Sequence, residues 1–413
     1  MTLSLFDLTF AGYGAIIGVA IFSLLPYIIK YSGGHVWLAF LIGGIISMFT
    51  GLSYARLSLD NSVNGAEYSW ILDALIVDET DEASKRRNKY VKWFGAIIIW
   101  AIIILGLTMN STILVGTTRF INLYKNNVAD YIKSFVLVAI PTAVNLLGVG
   151  AMAKLNIFIT SLISIGLIML TGIAGKNHKY IGDLALRGGG KGIGGLIKAI
   201  FLTVLPFNGF QTIAQLSDNA TNKVDIPKGI IVSISAATIV YTIVAASTVA
   251  IIGSKAAGSL VSPVSKAYAS VFGSYGSDIV NMLAIGNALP TMLIILYSRA
   301  SILQSIAKQN IAPKICENIN FSLVAVGIIS YLFTFTPGDS LEVLAIITNI
   351  ITICVFGIVN GLVIYKYHNN IWSTPVEQKK DSPIVAKFKK IYPFYAVIGL
   401  ITAIILMSQI RSG

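Results

Sequence analysis

The chain has 413 residues, of which 55% are hydrophobic and only 12% are charged. Soluble domains carry about 25% charged residues, so this composition excludes a large soluble protein. The formal net charge is +12, from 30 Lys and Arg against 18 Asp and Glu. The basic residues lie in loops between apolar stretches. Membrane topology therefore explains them, and nucleic acid is not expected as a partner.

Eleven apolar segments are each long enough to cross a bilayer, which requires about 20 residues. In chain order they cover 4–30, 36–58, 91–119, 132–149, 151–175, 193–217, 227–252, 275–306, 319–336, 340–366 and 391–410. We therefore predict an all-α polytopic membrane protein of about 11 transmembrane helices in a single domain over residues 1–413. The polar stretches 77–92 and 367–390 are predicted as cytoplasmic loops.

The orientation follows from the basic residues, because cytoplasmic loops carry an excess of Lys and Arg. With the N-terminus inside, the cytoplasmic loops hold 18 of the 30 basic residues and the outer side holds 12. The sequence therefore predicts a cytoplasmic N-terminus and an outer C-terminus, in the cell membrane. Lipid is the expected surrounding partner, and the protein is expected to be a monomer or a weak homo-oligomer.

Two of the segments are interrupted by helix-breaking residues. The first contains Gly12, Gly14 and Gly18, and the sixth contains Pro206 and Gly209. Proline removes a backbone donor, and glycine tolerates unwound backbone. Interruptions at matching places in two sets of five helices are typical of an inverted-repeat transporter. Close helix packing around small residues is the alternative for either segment alone.

An unwound stretch exposes amides and carbonyls with the partial charges of two helix ends. An α-amino acid carries a carboxylate and an ammonium group, so such a break can bind it through main-chain atoms alone. We predict that the carboxylate binds the amides of Gly18, Val19 and Ala20. The predicted ammonium ligands are the carbonyls of Tyr13, Gly14, Ala15, Ile16, Leu205 and Asn208.

The run G-Y-G-A-I-I-G-V-A-I-F at 12–22 resembles G-x-G-A-I-I-G-S-G-I-F, the first-helix signature of the amino acid–polyamine–organocation family. Further stretches resemble motifs of that family in the same order. They are L-S-Y-A-R-L at 52–57, G-A-E-Y at 65–68, N-L-L-G at 145–148, F-N-G-F at 207–210, I-P-K at 226–228, S-R at 298–299 and A-P-K at 312–314. The resemblance covers about residues 5–320.

This resemblance implies a five-plus-five inverted-repeat fold with broken helices 1 and 6. It also implies secondary active transport of amino acids by alternating access. An amine, polyamine or other organocation transporter and a non-transporting amino acid sensor are the alternatives. An enzyme is not expected, because the spans contain neither a nucleophile–base pair nor a metal triad.

The sequence departs from the family pattern at several positions. Val19 and Ala20 stand where the family has Ser-Gly, and Arg56 replaces a usual Glu. Leu205 stands where relatives often place an aromatic gate, so Phe207 or Phe210 is the candidate for that role.

Polar residues in the middle of the spans are candidates for substrate specificity. They are Asn110, Asn208, Gln211, Asn287, Thr291 and Asn349. Asn208, Gln211 and Asn287 are predicted to contact the substrate, whereas a helix–helix hydrogen bond is the preferred explanation for Asn110 and Asn349. No acidic residue is expected at mid-depth, which favours neutral or small substrates over arginine or polyamines.

The coupling ion stays open at this stage. Proton-coupled relatives can place a lysine on helix 5, at the position that Ile163 occupies here. A sodium site would use the carbonyls of Gly14, Ile17 and Ala288 with the Thr291 hydroxyl. Coupling to Na⁺, coupling to H⁺, and exchange or uniport are therefore all retained, and no other cofactor is expected.

Overall fold

The computed structural model describes residues 2–18, 20–124, 127–185, 190–336, 340–372 and 392–408. Val19 and residues 373–391, which include most of the predicted loop 367–390, lie outside these ranges. Within them the chain forms α-helices joined by turns and short 3₁₀ segments, and the only β-bridge pairs Leu3 with Ala220. The predicted all-α fold class is confirmed.

The first repeat begins with a broken helix. Its helices are α1 (Leu5–Ile16), α2 (Ala20–Ser32), α3 (Val36–Asp60), α4 (Ala66–Leu75), α5 (Glu82–Ile121), α6 (Asp130–Leu146) and α7 (Val149–Lys176). The helices α1 and α2 are the two halves of helix 1. The short α4 connects the second and third spans.

The second repeat begins in the same way. Its helices are α8 (Gly192–Phe207), α9 (Gln211–Gln215), α10 (Asp225–Ile252), α11 (Ser254–Ala257), α12 (Pro263–Gly286), α13 (Ala288–Lys308), α14 (Ile319–Leu332) and α15 (Ser340–His368). The helices α8 and α9 are the two halves of helix 6. Among the residues that are described after this repeat, one further helix is present, α16 (Phe394–Ser408).

Six helical stretches of the described chain are apolar and long enough to cross a membrane. Four further apolar helices are shorter, among them α1 and Gly192–Val204 of α8. These two are short because each is one half of a broken helix. The broken helices 1 and 6 therefore account for two of the four shorter helices.

The charged stretch 77–92 is not a loop throughout, as the sequence had suggested. Helix α5 begins at Glu82, because the Asp81 carboxylate accepts the Ser84 N–H at 2.7 Å and the Ser84 hydroxyl accepts the Asp81 N–H at 3.1 Å. This reciprocal cap starts the helix well before its apolar part. Within the stretch, only residues 77–81 remain non-helical.

Helix α3 packs closely against the second repeat through glycines. A methyl group built on Gly44 would lie 2.2 Å from Thr238 Oγ1 of α10, and one on Gly43 would lie 2.1 Å from Thr203 Oγ1 of α8. Small residues at such contacts allow helix backbones to approach each other in a membrane. The second helix of the first repeat is thereby joined to the sixth and seventh helices of the fold.

This packing predicts a difference between two glycine substitutions. We expect Gly44→Ala to destabilise the purified protein by about 1–3 kcal/mol, the usual effect of overpacking, because Thr238 is held by its 2.7 Å hydrogen bond to the Ile234 carbonyl. Gly172→Ala is the control, since nothing lies within 4 Å of a methyl group there. Thermal unfolding in detergent measures both, and equal unfolding temperatures would contradict the packing.

Candidate functional site

The first break separates α1 from α2. Ile17 leaves the helical conformation at φ −74° and ψ 66°. Its N–H donates to the Tyr13 carbonyl at 2.8 Å, and the Gly18 N–H donates to the Ile16 carbonyl at 2.7 Å. The chain resumes a helix at Ala20. The last carbonyls of α1 and the first amides of α2 therefore lie at the same place, as the sequence had indicated.

The second break is stabilised by its own side chains. Gly209 adopts φ 137°, a conformation that L side chains rarely take. The Gln211 side-chain oxygen accepts the Gly209 N–H at 2.9 Å, and the Gln211 amide donates to Asn208 Oδ1 at 2.9 Å. Asn208 also donates to the Thr352 hydroxyl of α15. Both predicted polar residues thus hold the shape of the break.

The two breaks touch each other through their backbones. A methyl group built on Gly209 would lie 2.6 Å from the Ala15 carbonyl carbon and 2.8 Å from its oxygen. The buried Tyr241 hydroxyl of α10 lies 2.5 Å from the Ile16 carbonyl and 3.3 Å from the Pro206 carbonyl. One tyrosine therefore bridges both interruptions.

Helix α7 lines the first break with a polar stripe that the sequence analysis missed. A methyl group built on Gly14 would lie 2.3 Å from Asn156 Oδ1 and 2.8 Å from Thr160 Oγ1. One turn further, the Ser164 hydroxyl lies 3.0 Å from the Tyr13 hydroxyl. The i, i+4, i+8 spacing of these polar residues in an apolar helix was the available signal.

Helix α13 closes the first break from another side. The Thr291 hydroxyl donates to the Gly14 carbonyl at 2.9 Å, and a methyl group built on Gly18 would lie 2.9 Å from Thr291 Oγ1. Gly14 and Thr291, two members of the predicted sodium site, are thus brought together. Their oxygens suit a hard cation, but a bound ion would have to replace their mutual hydrogen bond.

Asn287 lies one helical turn before Thr291 and is fully buried. Neither its side-chain oxygen nor its side-chain nitrogen has a hydrogen-bond partner in the described part of the chain. Most buried polar groups in proteins are hydrogen-bonded. An amide with free donors and a free acceptor, one helical turn from the threonine that contacts the first break, is therefore well suited to a zwitterionic ligand.

Other predicted site residues have different surroundings. Phe207 packs against Tyr241 with ring centroids 5.4 Å apart, and Phe210 lies 5.4 Å from Phe356 of α15. Asn110 donates to the Ser330 hydroxyl of α14 at 3.3 Å, which is the helix–helix bond considered for it. For Leu205 and Ala20 only the backbone is described.

A cavity of 470 Å³ opens at the face where α2 and α5 end. Phe120 of α5 lines it and packs edge-on against Phe22, with ring centroids 6.3 Å apart. Phe22 lies one helical turn beyond Gly18. Along helix 1, Phe22 therefore lies between the first break and the part of α2 that lines the cavity.

On the opposite side, near the N-terminus, a buried polar cluster joins four helices. Glu67 of α4 accepts from the Gln215 amide of α9 at 2.7 Å and from the Tyr54 hydroxyl of α3 at 3.1 Å. Gln215 Oε1 accepts in turn from the Ser298 hydroxyl of α13 at 2.8 Å and from the Arg299 guanidinium. Burial raises the pKa of the Glu67 carboxyl, and its hydrogen-bond donors and Arg299 act in the opposite direction.

Comparisons with known proteins agree with this architecture. A family model described as amino acid permease matches residues 3–410. A branched-chain amino acid permease of Bacillus subtilis is 23% identical over 335 residues, covering 75% of this chain and 68% of the relative. An inner membrane transport protein of Escherichia coli is 23% identical over 248 residues, covering 58% of this chain and 53% of the relative.

A solved structure supports the fold. It is a nucleobase-cation-symport-1 family transporter in a closed conformation with bromovinylhydantoin bound. The TM-score is 0.59 at 12% identity, covering 99% of this chain and 92% of that chain. At this identity the likeness concerns the fold alone.

The contact between the breaks predicts the effect of one methyl group. We expect Gly209→Ala to lower the thermal unfolding temperature markedly, because the new Cβ would meet backbone atoms of Ala15 and the φ of 137° would be strained. Gly286→Ala is the matched control, since nothing lies within 4 Å of a methyl group there. An unchanged unfolding temperature in the Gly209 variant would show that the breaks do not touch.

Proposed function

The chain belongs to the amino acid permease family of membrane transporters. On that basis we propose that it is a secondary active transporter of amino acids in the cell membrane, working by alternating access. The observation that carries the proposal is the contact between the two breaks, where Gly209 meets the Ala15 backbone and Tyr241 reaches both. Discontinuous helices that meet within the membrane are where such transporters bind their substrates.

The proposed pose uses main-chain atoms for the amino acid backbone. The substrate carboxylate binds the amides of Gly18, Val19 and Ala20, just before and at the first residue of α2, where the helix dipole favours negative charge. Val19 lies outside the described residues, and the Gly18 N–H exchanges the Ile16 carbonyl for the carboxylate. The ammonium group binds carbonyls at the end of α1, first that of Ala15, which lies at the contact between the breaks. Leu205 and Asn208 contribute carbonyls from the other break.

Asn287 is the proposed side-chain contact. Its amide nitrogen donates to a carboxylate and its oxygen accepts from an ammonium group, so a zwitterion satisfies both of its free atoms. Leaving such a group buried without a partner costs about 1–3 kcal/mol. Substrate binding relieves that cost.

We propose a neutral, apolar amino acid as the substrate. The absence of an acidic residue at mid-depth in the sequence disfavours a cationic side chain. The Bacillus subtilis relative is described as a permease for branched-chain amino acids, which makes leucine, isoleucine and valine the first substrates to test. The route into the site leads from the 470 Å³ cavity past Phe22 and Phe120, a cavity that faces outward if the N-terminus is cytoplasmic.

Uptake into proteoliposomes tests the function. Labelled amino acids are offered under an imposed sodium gradient, an imposed proton gradient, no gradient, and with amino acids inside. Accumulation under one gradient names the coupling ion, and uptake only with internal amino acids indicates an exchanger. If no uptake is measured in any of the four conditions but the ligand still raises the thermal unfolding temperature, the protein would instead be a sensor. If amino acids give neither uptake nor a shift of the unfolding temperature, amines or other organic cations would be the substrates to test.

Asn287→Leu is predicted to separate binding from stability. The substitution removes two unpartnered polar atoms, so the unfolding temperature without substrate stays equal or rises, whereas substrate-induced stabilisation and uptake are lost. Asn110→Leu is the matched control, because it removes the hydrogen bond to Ser330. We expect that control to lower the unfolding temperature and keep the substrate-induced shift. Substrate stabilisation retained in the Asn287 variant would overturn the assignment.

A further inference from the structure

The polar cluster near the N-terminal side contains two buried charged groups that do not contact each other directly. Glu67 is 1% exposed and Arg299 is 0% exposed. Gln215 lies between them, donating to Glu67 and accepting from Arg299. Burying an ion costs several kcal/mol unless a partner of opposite charge compensates for it. A neutral amide between two buried charges compensates for them less well than a direct ion pair would. Stability of the fold alone therefore does not explain the position of Gln215.

Several atoms of these two groups lack partners. Glu67 Oε2, Arg299 Nε and Arg299 Nη2 form no hydrogen bond within the ranges that the structure describes. A carboxylate and a guanidinium can form two parallel hydrogen bonds, which is their strongest arrangement. The free guanidinium nitrogens and Glu67 Oε2 are available to such a direct pair, whose second carboxylate oxygen would be Glu67 Oε1 after Gln215 leaves it.

The residues of the cluster lie on separate helices, so a relative movement of these helices would change their contacts. Gln215 lies on α9, the second half of broken helix 6, whereas Arg299 and Ser298 lie on α13. Glu67 lies on the short helix α4. Any movement of α9 away from α13 therefore withdraws Gln215 and leaves Glu67 and Arg299 facing each other.

We propose that Gln215 is a positioning residue of the transport cycle, which holds the N-terminal side closed by standing between Glu67 and Arg299, and that these two residues pair directly when that side opens. Glu67 and Arg299 each have a hydrogen-bond partner in both states, Gln215 in the closed state and each other in the open state. It makes the equilibrium between them sensitive to the single amide of Gln215. This inference rests on the proposed alternating access.

The proposal predicts opposite effects for two variants. Gln215→Leu removes the closing contacts and leaves the direct pair intact, so it favours the open state. Glu67→Gln removes the charge that the direct pair needs, whereas an amide at position 67 can still bond Gln215, so it favours the closed state. A purely structural role would make both variants less stable without moving the equilibrium in opposite directions.

The equilibrium can be read from the accessibility of a cysteine on α9. Ile213 is fully buried, and its side chain lies against Gly12 of α1. In a background with Cys316 and Cys354 replaced by serine, Ile213→Cys is labelled with a membrane-impermeant thiol reagent applied to the purified protein without substrate. We expect labelling about tenfold faster in Gln215→Leu, a shift of about 1.4 kcal/mol, and several-fold slower in Glu67→Gln.

Gln304→Leu is the matched control, because Gln304 of the same region donates to the Glu317 carbonyl outside the cluster and should leave the labelling rate unchanged. Gln215→Asn, whose side chain is too short to bridge, repeats the test if the leucine variant fails to fold. Unchanged labelling, or a change of the same sign in both cluster variants, would overturn the switch. Because labelling needs no substrate, this failure is distinguishable from failure of the uptake assay, which tests the proposed function.

Discussion

The structure depends on one close approach, that of the Gly209 backbone to the Ala15 backbone. It requires glycine at position 209, because a methyl group would lie within 2.9 Å of three Ala15 atoms. It brings helix ends of opposite polarity together in a region where backbone groups must find partners within the protein. Tyr241 meets part of that need by reaching carbonyls of both broken helices. A substrate with a carboxylate and an ammonium group can meet the rest.

Buried polar atoms without partners occur at several places in the described chain, Asn110, Asn145 and Asn349 among them, and three such residues lie where the proposed cycle needs a change of partner. Most buried hydroxyl and amide groups of the described chain have hydrogen-bond partners, as in Asn156 with the Phe10 carbonyl at 2.8 Å. Asn287 at the first break, and Glu67 with Arg299 near the N-terminal side, keep free atoms. We propose that Asn287 forms hydrogen bonds with the substrate, and that Glu67 and Arg299 pair with each other when the N-terminal side opens. In both places the unpartnered buried atoms carry a desolvation cost, and the relief of that cost favours substrate binding at Asn287 and opening at the Glu67–Arg299 pair.

The sequence indicated the fold and the two breaks because their signals are local. Glycines 12, 14 and 18 and the pair Pro206 and Gly209 interrupt apolar runs that are otherwise continuous. The start of α5 was misjudged because its first turns are charged, although the Asp81–Ser84 cap was readable. Tyr241, Asn156 and Gln215 escaped notice because their importance comes from neighbours distant in sequence. Ile163 occupies the position at which proton-coupled relatives can place a lysine, whereas the contacts of helix α7 with Gly14 come from Asn156 and Thr160.

An experimental structure determined with a transported amino acid bound would test the central claim most directly. The account predicts ligand density between the two breaks, with the carboxylate at the amides that follow Gly18, the ammonium group beside the Ala15 carbonyl, and the Asn287 amide in contact with the ligand. Density confined to the cavity above Phe22 and Phe120, with Asn287 still without a partner, would contradict it.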